Sequence, residues 1–284
     1  MGRVLVLAFV LLACGGSPPP PPSPPAPAPS QLVQPAVANE MPATLAKHMT
    51  SHGWGPMHLQ WHTERRWDQL PPAAVDYAKR QGWRRAERQE GSVGNGVEFL
   101  AMHRAMIELL ADADPSEKAV LAGWTTPPTD PTDPADPLPN GATTAFDPDM
   151  AKALDRLAHH LDTFASEDEL GLFIETWFRP TTDAPKTRAV DRTAGVHNYL
   201  HQRFQDPTSP IDLGNPSTNL MNPRFWRLHG WIDHVWAAYR AQKGLRDTDA
   251  AYQQLIGDAK AHMSMRAKAP LEAPPAELLD VVRP

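Results

Sequence analysis

The sequence of 284 residues contains one cysteine, Cys14. A single cysteine excludes an intrachain disulfide framework, and it also excludes a cysteine-based zinc or iron–sulfur site. The chain has no basic excess either, because 27 Lys and Arg residues stand against 33 Asp and Glu residues, which gives a net charge of -6. Nucleic-acid-binding domains usually carry clustered positive charge, so we expect no nucleic-acid partner.

Long apolar runs are scarce, and the clearest one is near the N-terminus. Residues 4–12 are all apolar and follow Arg3, a pattern typical of a secretory signal and too short for a membrane-spanning helix. The sequence Leu11-Leu12-Ala13-Cys14 resembles a bacterial lipobox. This resemblance implies a signal peptide over residues 1–13 and an exported chain anchored through lipidated Cys14, with the bacterial outer membrane as its destination.

Proline is abundant and clustered. Residues 18–29 contain nine prolines, which favours an extended stalk of about 3.1 Å per residue. Repeated T-D-P and A-D-P units over residues 125–139 exclude helix and central strand. We therefore predict a signal peptide (1–13), a stalk (14–40), one folded domain (41–265) with a Pro-rich surface insert (125–148), and a Pro/Ala-rich tail (266–284).

The folded part has helical periodicity. Residues 97–110 (VEFLAMHRAMIELL) place apolar side chains at helical spacing, and residues 149–164 and 167–177 are similar. Residues 226–243 predict a long amphipathic helix rich in tryptophan. Strand-like alternation is scarce, so we expect a mainly α fold with a central helical bundle and long irregular loops.

Two common metal motifs are missing. The sequence has no HExxH, which argues against a zinc protease, and no ExxH, which argues against a ferritin-like di-iron bundle. It does have twelve histidines, and three pairs are four residues apart. Histidines at this spacing share one helix face and can reach one metal ion. The pairs are His48–His52, His58–His62 and His197–His201.

Two of these pairs are followed by a lone histidine on a helix-like segment. His103 follows the His58–His62 pair, and His229 follows the His197–His201 pair. Each triplet is a set of three imidazoles, which suits copper, zinc, iron and nickel. Two all-nitrogen sites with open positions favour a pair of copper ions over metals that prefer carboxylates.

The segments GVHNYLHQRF and NPRFWRLHGWIDHVW resemble the second copper site of type 3 copper proteins, the family of tyrosinases, catechol oxidases, arthropod phenoloxidases and hemocyanins. Pro223, Phe225 and Asp233 keep the family pattern, while Asn222 stands at the usual aspartate. GPMHLQWHTER and EFLAMHRAM resemble the first site in its arthropod form. The resemblance implies two copper ions, one bound by His58, His62 and His103 and the other by His197, His201 and His229.

The first site has an alternative within the same family. His52 is a rival to His58, because SHGWGPMHLQWH also resembles the HG…WH run of tyrosinases. We prefer His58, which makes the two sites quasi-symmetric. Gly94 stands where bacterial and fungal tyrosinases usually place a middle histidine of the first site.

The resemblance implies an oxidoreductase that converts phenols or catechols to o-quinones, with dioxygen as co-substrate and a phenolic or tyrosine-like substrate. Asn198 and Glu175 are candidates for the pair that, in tyrosinases, is proposed to hold a water that deprotonates the phenol. The alternative is a dioxygen-binding or copper-holding protein without turnover, as in hemocyanins. We also expect Arg104 and Asp233 to form an ion pair between the two helices that carry His103 and His229.

Overall fold

The computed structural model describes residues 40–176, 195–265 and 272–283, all within one compact unit. Helices make up the secondary structure of these residues, and they contain no β-strand, which confirms the mainly α fold. The signal peptide, Cys14 and nearly all of the stalk lie outside the described residues. None of the helices in the described segments has both the length and the apolar character to cross a bilayer.

Ten α-helices form the described part of the fold, joined by short 3-10 turns. Their bounds are α1 (Ala43–Ser51), α2 (Trp54–Arg65), α3 (Pro72–Arg80), α4 (Asn95–Ala113), α5 (Pro148–His159), α6 (Glu167–Glu175), α7 (Val196–Arg203), α8 (Pro223–Gln242), α9 (Ala250–Ser264) and α10 (Ala276–Val282).

The predicted helices lie within or close to these bounds. Helix α8 begins where the side chain of Asn222 accepts a hydrogen bond from the backbone N–H of Arg224 at 3.0 Å, a standard N-cap. The expected helix over 149–164 ends at His159, because His160 leaves the helical region and a 3-10 turn follows. The predicted helix over 167–177 ends at Glu175, and Trp177 lies outside the described residues.

Helix α4 is central and packs against α6, α8 and α9. It crosses α6 at Gly96 and Gly171, where a Cβ atom on either glycine would overlap the backbone of the other helix. The carboxylate of Asp168 on α6 also accepts hydrogen bonds from the backbone N–H groups of Gly94 and Val97, at 2.9 and 3.2 Å. The close approach and the cap together fix the position of α4.

The Pro-rich insert is irregular, as expected, but it is anchored to α8. Asp136 is 3% exposed and accepts hydrogen bonds from Trp124 Nε1 at 2.6 Å, Arg224 Nε at 3.0 Å and Arg227 Nη1 at 2.8 Å. A buried carboxylate requires such partners. The insert therefore contributes a buried ion cluster in addition to surface.

Part of the C-terminal segment, predicted only as a tail, forms a helix. Leu278 and Val282 on α10 are fully buried and pack in a small apolar cluster with Leu59 of α2. Arg66, itself 1% exposed, donates hydrogen bonds to the carbonyl oxygens of Val281 and Arg283 at 3.2 and 2.8 Å. The end of the chain is thereby fastened to the helix that carries His58 and His62.

Candidate metal centre

Four helices direct six histidines into one region of the interior. Helices α2 and α7 carry the two pairs, and α4 and α8 carry the lone residues. None of the six is more than 2% exposed: His58, His62, His103, His197, His201 and His229. The structure thus brings together every residue of the two predicted triplets, in a single buried cluster.

The imidazole nitrogens in this cluster are close enough to share metal ions. The Nε2 atoms of His58 and His62 are 3.2 Å apart, and those of His201 and His229 are 3.3 Å apart. The rings of His103 and His229 stack at a centroid distance of 3.8 Å. The stack joins the two triplets.

Two groups of three histidines have ligand nitrogens that all lie within 4.8 Å of one another. One group is the first predicted triplet. The other contains His103, His197 and His229, with His201 beside it through its contact with His229. His103 therefore belongs to both groups, which the sequence spacing did not indicate.

Hydrogen bonds fix the tautomer of three of the rings. The Nδ1 atoms of His58, His103 and His201 face carbonyl oxygens at 2.9, 2.9 and 2.8 Å. A carbonyl oxygen can only accept, so each Nδ1 carries the proton and each Nε2 keeps its lone pair. The acceptors are, in the same order, the carbonyl oxygens of Pro216, Phe99 and Leu213.

Burial keeps these imidazoles neutral. Loss of solvation lowers the pKa of His58 to about 4 and that of His201 to about 3. Burial, reinforced by neighbouring histidines, lowers the pKa of the other four well below the usual value. Neutral imidazole is the form that binds metal ions.

The cluster fits metal ions by two criteria. The Nε2 atoms of His103 and His197 are buried without a hydrogen-bond partner among the described residues, and an unpaired buried polar atom is costly. Metal–nitrogen distances of about 2.0–2.1 Å place two tetrahedral ligands about 3.3 Å apart. The Nε2 atoms of His58 and His62, and those of His201 and His229, have nearly this separation. The buried histidine groups could hold metal ions of a kind that accepts nitrogen ligands.

Aromatic rings enclose the cluster. Phe225 lies 4.0 Å from the ring of His229, and Phe99 lies 4.7 Å from that of His103. Each phenylalanine comes four residues before its histidine. Phe225 belongs to the second-site motif, and Phe99 stands in the EFLAMHRAM segment of the first, so the repeated F-x-x-x-H spacing marks both rings in the sequence. Trp61, not predicted as part of the site, contacts the ring of His62 at 4.8 Å.

The expected ion pair between α4 and α8 is confirmed. Arg104 Nε binds a carboxylate oxygen of Asp233, and Arg104 Nη1 donates to the hydroxyl of Tyr252 at 2.9 Å. The guanidinium group also stacks on Trp236 at 4.0 Å. Arg104 follows His103 in α4, and Asp233 lies one turn after His229 in α8. The contacts between them therefore hold the two helices together next to the cluster.

Asn198 and Glu175 are both buried, on helices α7 and α6, which pack against each other. The side-chain oxygen of Asn198 is 2.8 Å from Nδ1 of His197, so Asn198 orients that ring. Glu175 is 1% exposed, and its Oε2 has no hydrogen-bond partner among the described residues. Burial first, and then the nearby charge of Glu90, raise the pKa of Glu175 well above its usual value.

His52 lies outside the six-histidine cluster. The His52 ring stacks on that of His48 at a centroid distance of 4.2 Å. The Nδ1 atom of His52 is 2.8 Å from the carbonyl oxygen of His48. His58, and not the alternative His52, groups with His62 and His103. The adjacent His159 and His160 are exposed and lie near Asp155.

No protein-family model matches this sequence, and no curated protein matches it either. The likeness to type 3 copper proteins therefore depends on the histidine motifs quoted above.

Proposed function

We propose that the chain is a copper-dependent oxidase that uses dioxygen to convert phenols or catechols to o-quinones. The main support is the set of six buried neutral imidazoles, arranged as two adjoining groups. The Nε2 atoms of His103 and His197 have no hydrogen-bond partner among the described residues, and those of the other four lie 3.2 or 3.3 Å from a second histidine nitrogen. Copper is the metal we favour, because the donors are all nitrogen and the motifs resemble those of the type 3 copper family.

Two bound copper ions would supply the electrons that reduce dioxygen while the phenol is oxidised. The chain holds the ligand rings through the carbonyl oxygens of Pro216, Phe99 and Leu213. Phe99 and Phe225, both fully buried, exclude water from the space between the rings. A dry site strengthens the electrostatic interactions inside it.

Within this proposal, Glu175 accepts the proton of a monophenol through a water that Asn198 helps to hold. An ordinary carboxylate is a weak base for a phenol, whose pKa is near 10. Burial raises the pKa of Glu175, which makes its carboxylate a stronger base. This role is needed for monophenols more than for catechols.

Glu175→Gln tests that role. We expect monophenol oxidation to fall by about 100-fold and catechol oxidation to change by less than about threefold, the difference that loss of one general base produces. Glu87→Gln, at an exposed position, is the control. Equal losses with both substrates would assign Glu175 to structure instead.

The alternative is a dioxygen-binding or copper-holding protein without turnover. One observation favours it: all six histidines are 2% exposed or less, so the described residues leave the metal ligands closed to a bulky substrate. Copper-loaded protein that binds dioxygen reversibly but oxidises neither catechol nor a monophenol would establish this alternative.

The oxidase proposal is tested by loading the full chain with copper, counting copper per chain and assaying catechol oxidation under air. We expect two copper ions per chain, and in His229→Gln, which removes a ligand from one group, the loss of one ion together with the activity. His234→Gln is a matched control, because this neighbouring histidine is exposed. One zinc per chain, or copper uptake that His229→Gln leaves unchanged, would overturn the proposal.

Export and lipid anchoring are a separate proposal that the sequence alone supports. We expect the chain to fractionate with bacterial membranes and Cys14→Ser to move it into the soluble fraction, since the lipid is the anchor. An identical distribution for the two forms would contradict lipidation of Cys14.

A further inference from the structure

A cavity of about 500 Å³ lies between the turn that joins α1 to α2 and the loop of residues 210–221. Its walls are mainly apolar and include Met49, Trp54, Ile211 and Met221. None of the six clustered histidines lines it. The cavity is therefore separate from the candidate metal centre.

Three polar side chains of this cavity, those of Thr50, His52 and Ser217, present hydrogen-bond acceptors. Thr50 Oγ1 donates its proton to the carbonyl oxygen of Ala46 at 2.8 Å, and Ser217 Oγ donates to Asn215 Oδ1 at 2.7 Å. His52 Nδ1 donates to the carbonyl oxygen of His48 at 2.8 Å, which leaves a lone pair on Nε2. A ligand would meet lone pairs on these three side chains. Ser51, whose hydroxyl donates to the carbonyl oxygen of His48 at 3.0 Å, and Thr218 also line the cavity.

These features select a class of ligand. The lone pairs require a hydrogen-bond donor, and no acidic side chain is among the residues that line the cavity, so a cation gains no charge partner. Tryptophan and methionine side chains make favourable contacts with aromatic rings. An uncharged aromatic ring with a hydroxyl group meets all three conditions.

We propose that this cavity is a phenol-binding site, distinct from the histidine cluster, with His52 Nε2 accepting the hydrogen bond of the phenol. The assignment shares its ligand class with the proposed function but requires no copper. The cavity also adjoins the metal centre, because Ser217 in its wall follows Pro216, whose carbonyl oxygen binds His58 Nδ1. Trp54, also in the wall, stands one helical turn before His58 on α2.

The experiment uses the full chain without metal and compares 4-methylphenol with toluene by calorimetry and ligand-observed NMR. The two probes have the same ring and methyl group and differ in the hydroxyl. We expect the phenol to bind about three- to tenfold more tightly, the value of one net hydrogen bond. Equal affinities, or no binding of either probe, would overturn the proposal.

Two variants locate the site. His52→Phe keeps a ring but removes the acceptor, so the two probes should then bind within about twofold of each other. Met221→Trp fills the cavity and should weaken both probes by about tenfold or more. Val93→Trp, at a position that is 76% exposed and outside the cavity, is the control for an added tryptophan.

Thermal melting of each variant checks that it is folded. If folded Met221→Trp binds 4-methylphenol as the unaltered chain does, the phenol lies elsewhere and the assignment is wrong. If folded His52→Phe keeps the full preference for the phenol, His52 is not the acceptor. Both results concern metal-free protein, so they are distinct from a failure of copper-dependent oxidation, which would count against the oxidase proposal alone.

Discussion

The two halves of the histidine cluster repeat a motif, yet they hold their lone histidines differently. His103 Nδ1 donates to the carbonyl oxygen of Phe99, one turn earlier, at 2.9 Å. His229 also has a phenylalanine one turn earlier, Phe225, but its own Nδ1 has no hydrogen-bond partner within the described segments. Packing between His103 at 3.8 Å and Phe225 at 4.0 Å positions its ring instead. Equal sequence spacing thus produces two kinds of orientation.

The paired histidines of the two halves have a feature in common. His58 and His201 donate to the carbonyl oxygens of Pro216 and Leu213, which belong to one loop between α7 and α8. Outer groups of this kind orient metal ligands. The loop therefore acts on both halves at once, while the lone His103 is held by a carbonyl oxygen of its own helix.

The largest expected effect comes from His103, the histidine that belongs to both groups. His103→Gln should remove a ligand from each group, and we expect both copper ions to be lost, with a decrease in affinity of at least about 100-fold. His62→Gln affects one group and should leave one copper ion per chain. Metal analysis after dialysis distinguishes the two variants.

His234→Gln, at the exposed position next to Asp233, controls for the loss of a histidine from the same helical region. Retention of one tightly bound copper ion in His103→Gln would show that the halves do not share this ligand. The two halves of the cluster would then be two independent triplets of histidines.

The second effect concerns the metal-free protein in acid. The pKa of His58 is lowered to about 4 and that of His201 to about 3, whereas both return to the ordinary value near 6.5 on unfolding. Below pH 6.5 the unfolded chain binds more protons, so the free energy of unfolding falls as the pH falls. By pH 5 each of these two histidines should lower the free energy of unfolding by about 2 kcal/mol. Urea unfolding at pH 7, 6 and 5 measures this loss.

The decline should end for His58 near pH 4 and continue for His201 to near pH 3, since each native ring is protonated there. Copper loading should suppress the loss until the metal dissociates. A free energy of unfolding that stays constant from pH 7 to pH 5 in the metal-free chain would show that the rings are not buried as neutral groups.

The shared loop gives the third effect. Asp212 is 4% exposed, and its Oδ1 accepts hydrogen bonds from the backbone N–H groups of Asp206 at 2.7 Å and Gly214 at 3.1 Å. Asp212→Ala should disorder both carbonyl acceptors and lower the affinity for both copper ions by about tenfold. Asp212→Asn keeps an acceptor oxygen and should retain most of the affinity for both copper ions. Weakening of one copper ion only would mean that the loop supports one half.

The sequence was sufficient for the two helices that carry the lone histidines and for the histidines that meet in the cluster. Apolar residues at helical spacing over 97–110 and 226–243 predicted α4 and α8, and the structure buries residues 99–106 and 228–232 on every side. The i,i+4 pairs predicted α2 and α7 as the carriers of paired ligands. These inferences depend only on local spacing, which the fold preserves.

The groups that hold the ligands could not be predicted in this way. The acceptors at Pro216 and Leu213 are backbone carbonyl oxygens, which every residue possesses, so no side-chain pattern marks them. Helix α10 depends on Leu59 and Arg66, which are more than 200 positions away in the chain. The contact of His103 with both groups arises from the crossing of α4 and α8, a tertiary property.

The smallest expected effect is specific to the second half. His197 is oriented by a side chain, Asn198, at 2.8 Å, where the corresponding rings use backbone carbonyl oxygens. Asn198→Ala should lower the affinity of the second-half copper by about three- to tenfold, the value of one hydrogen bond, and leave the first-half copper unchanged. Competition with a copper chelator, followed by metal analysis, resolves the two affinities. Equal weakening of both ions would indicate that His197 orients the shared cluster through His103, and the two halves would then behave as a single unit.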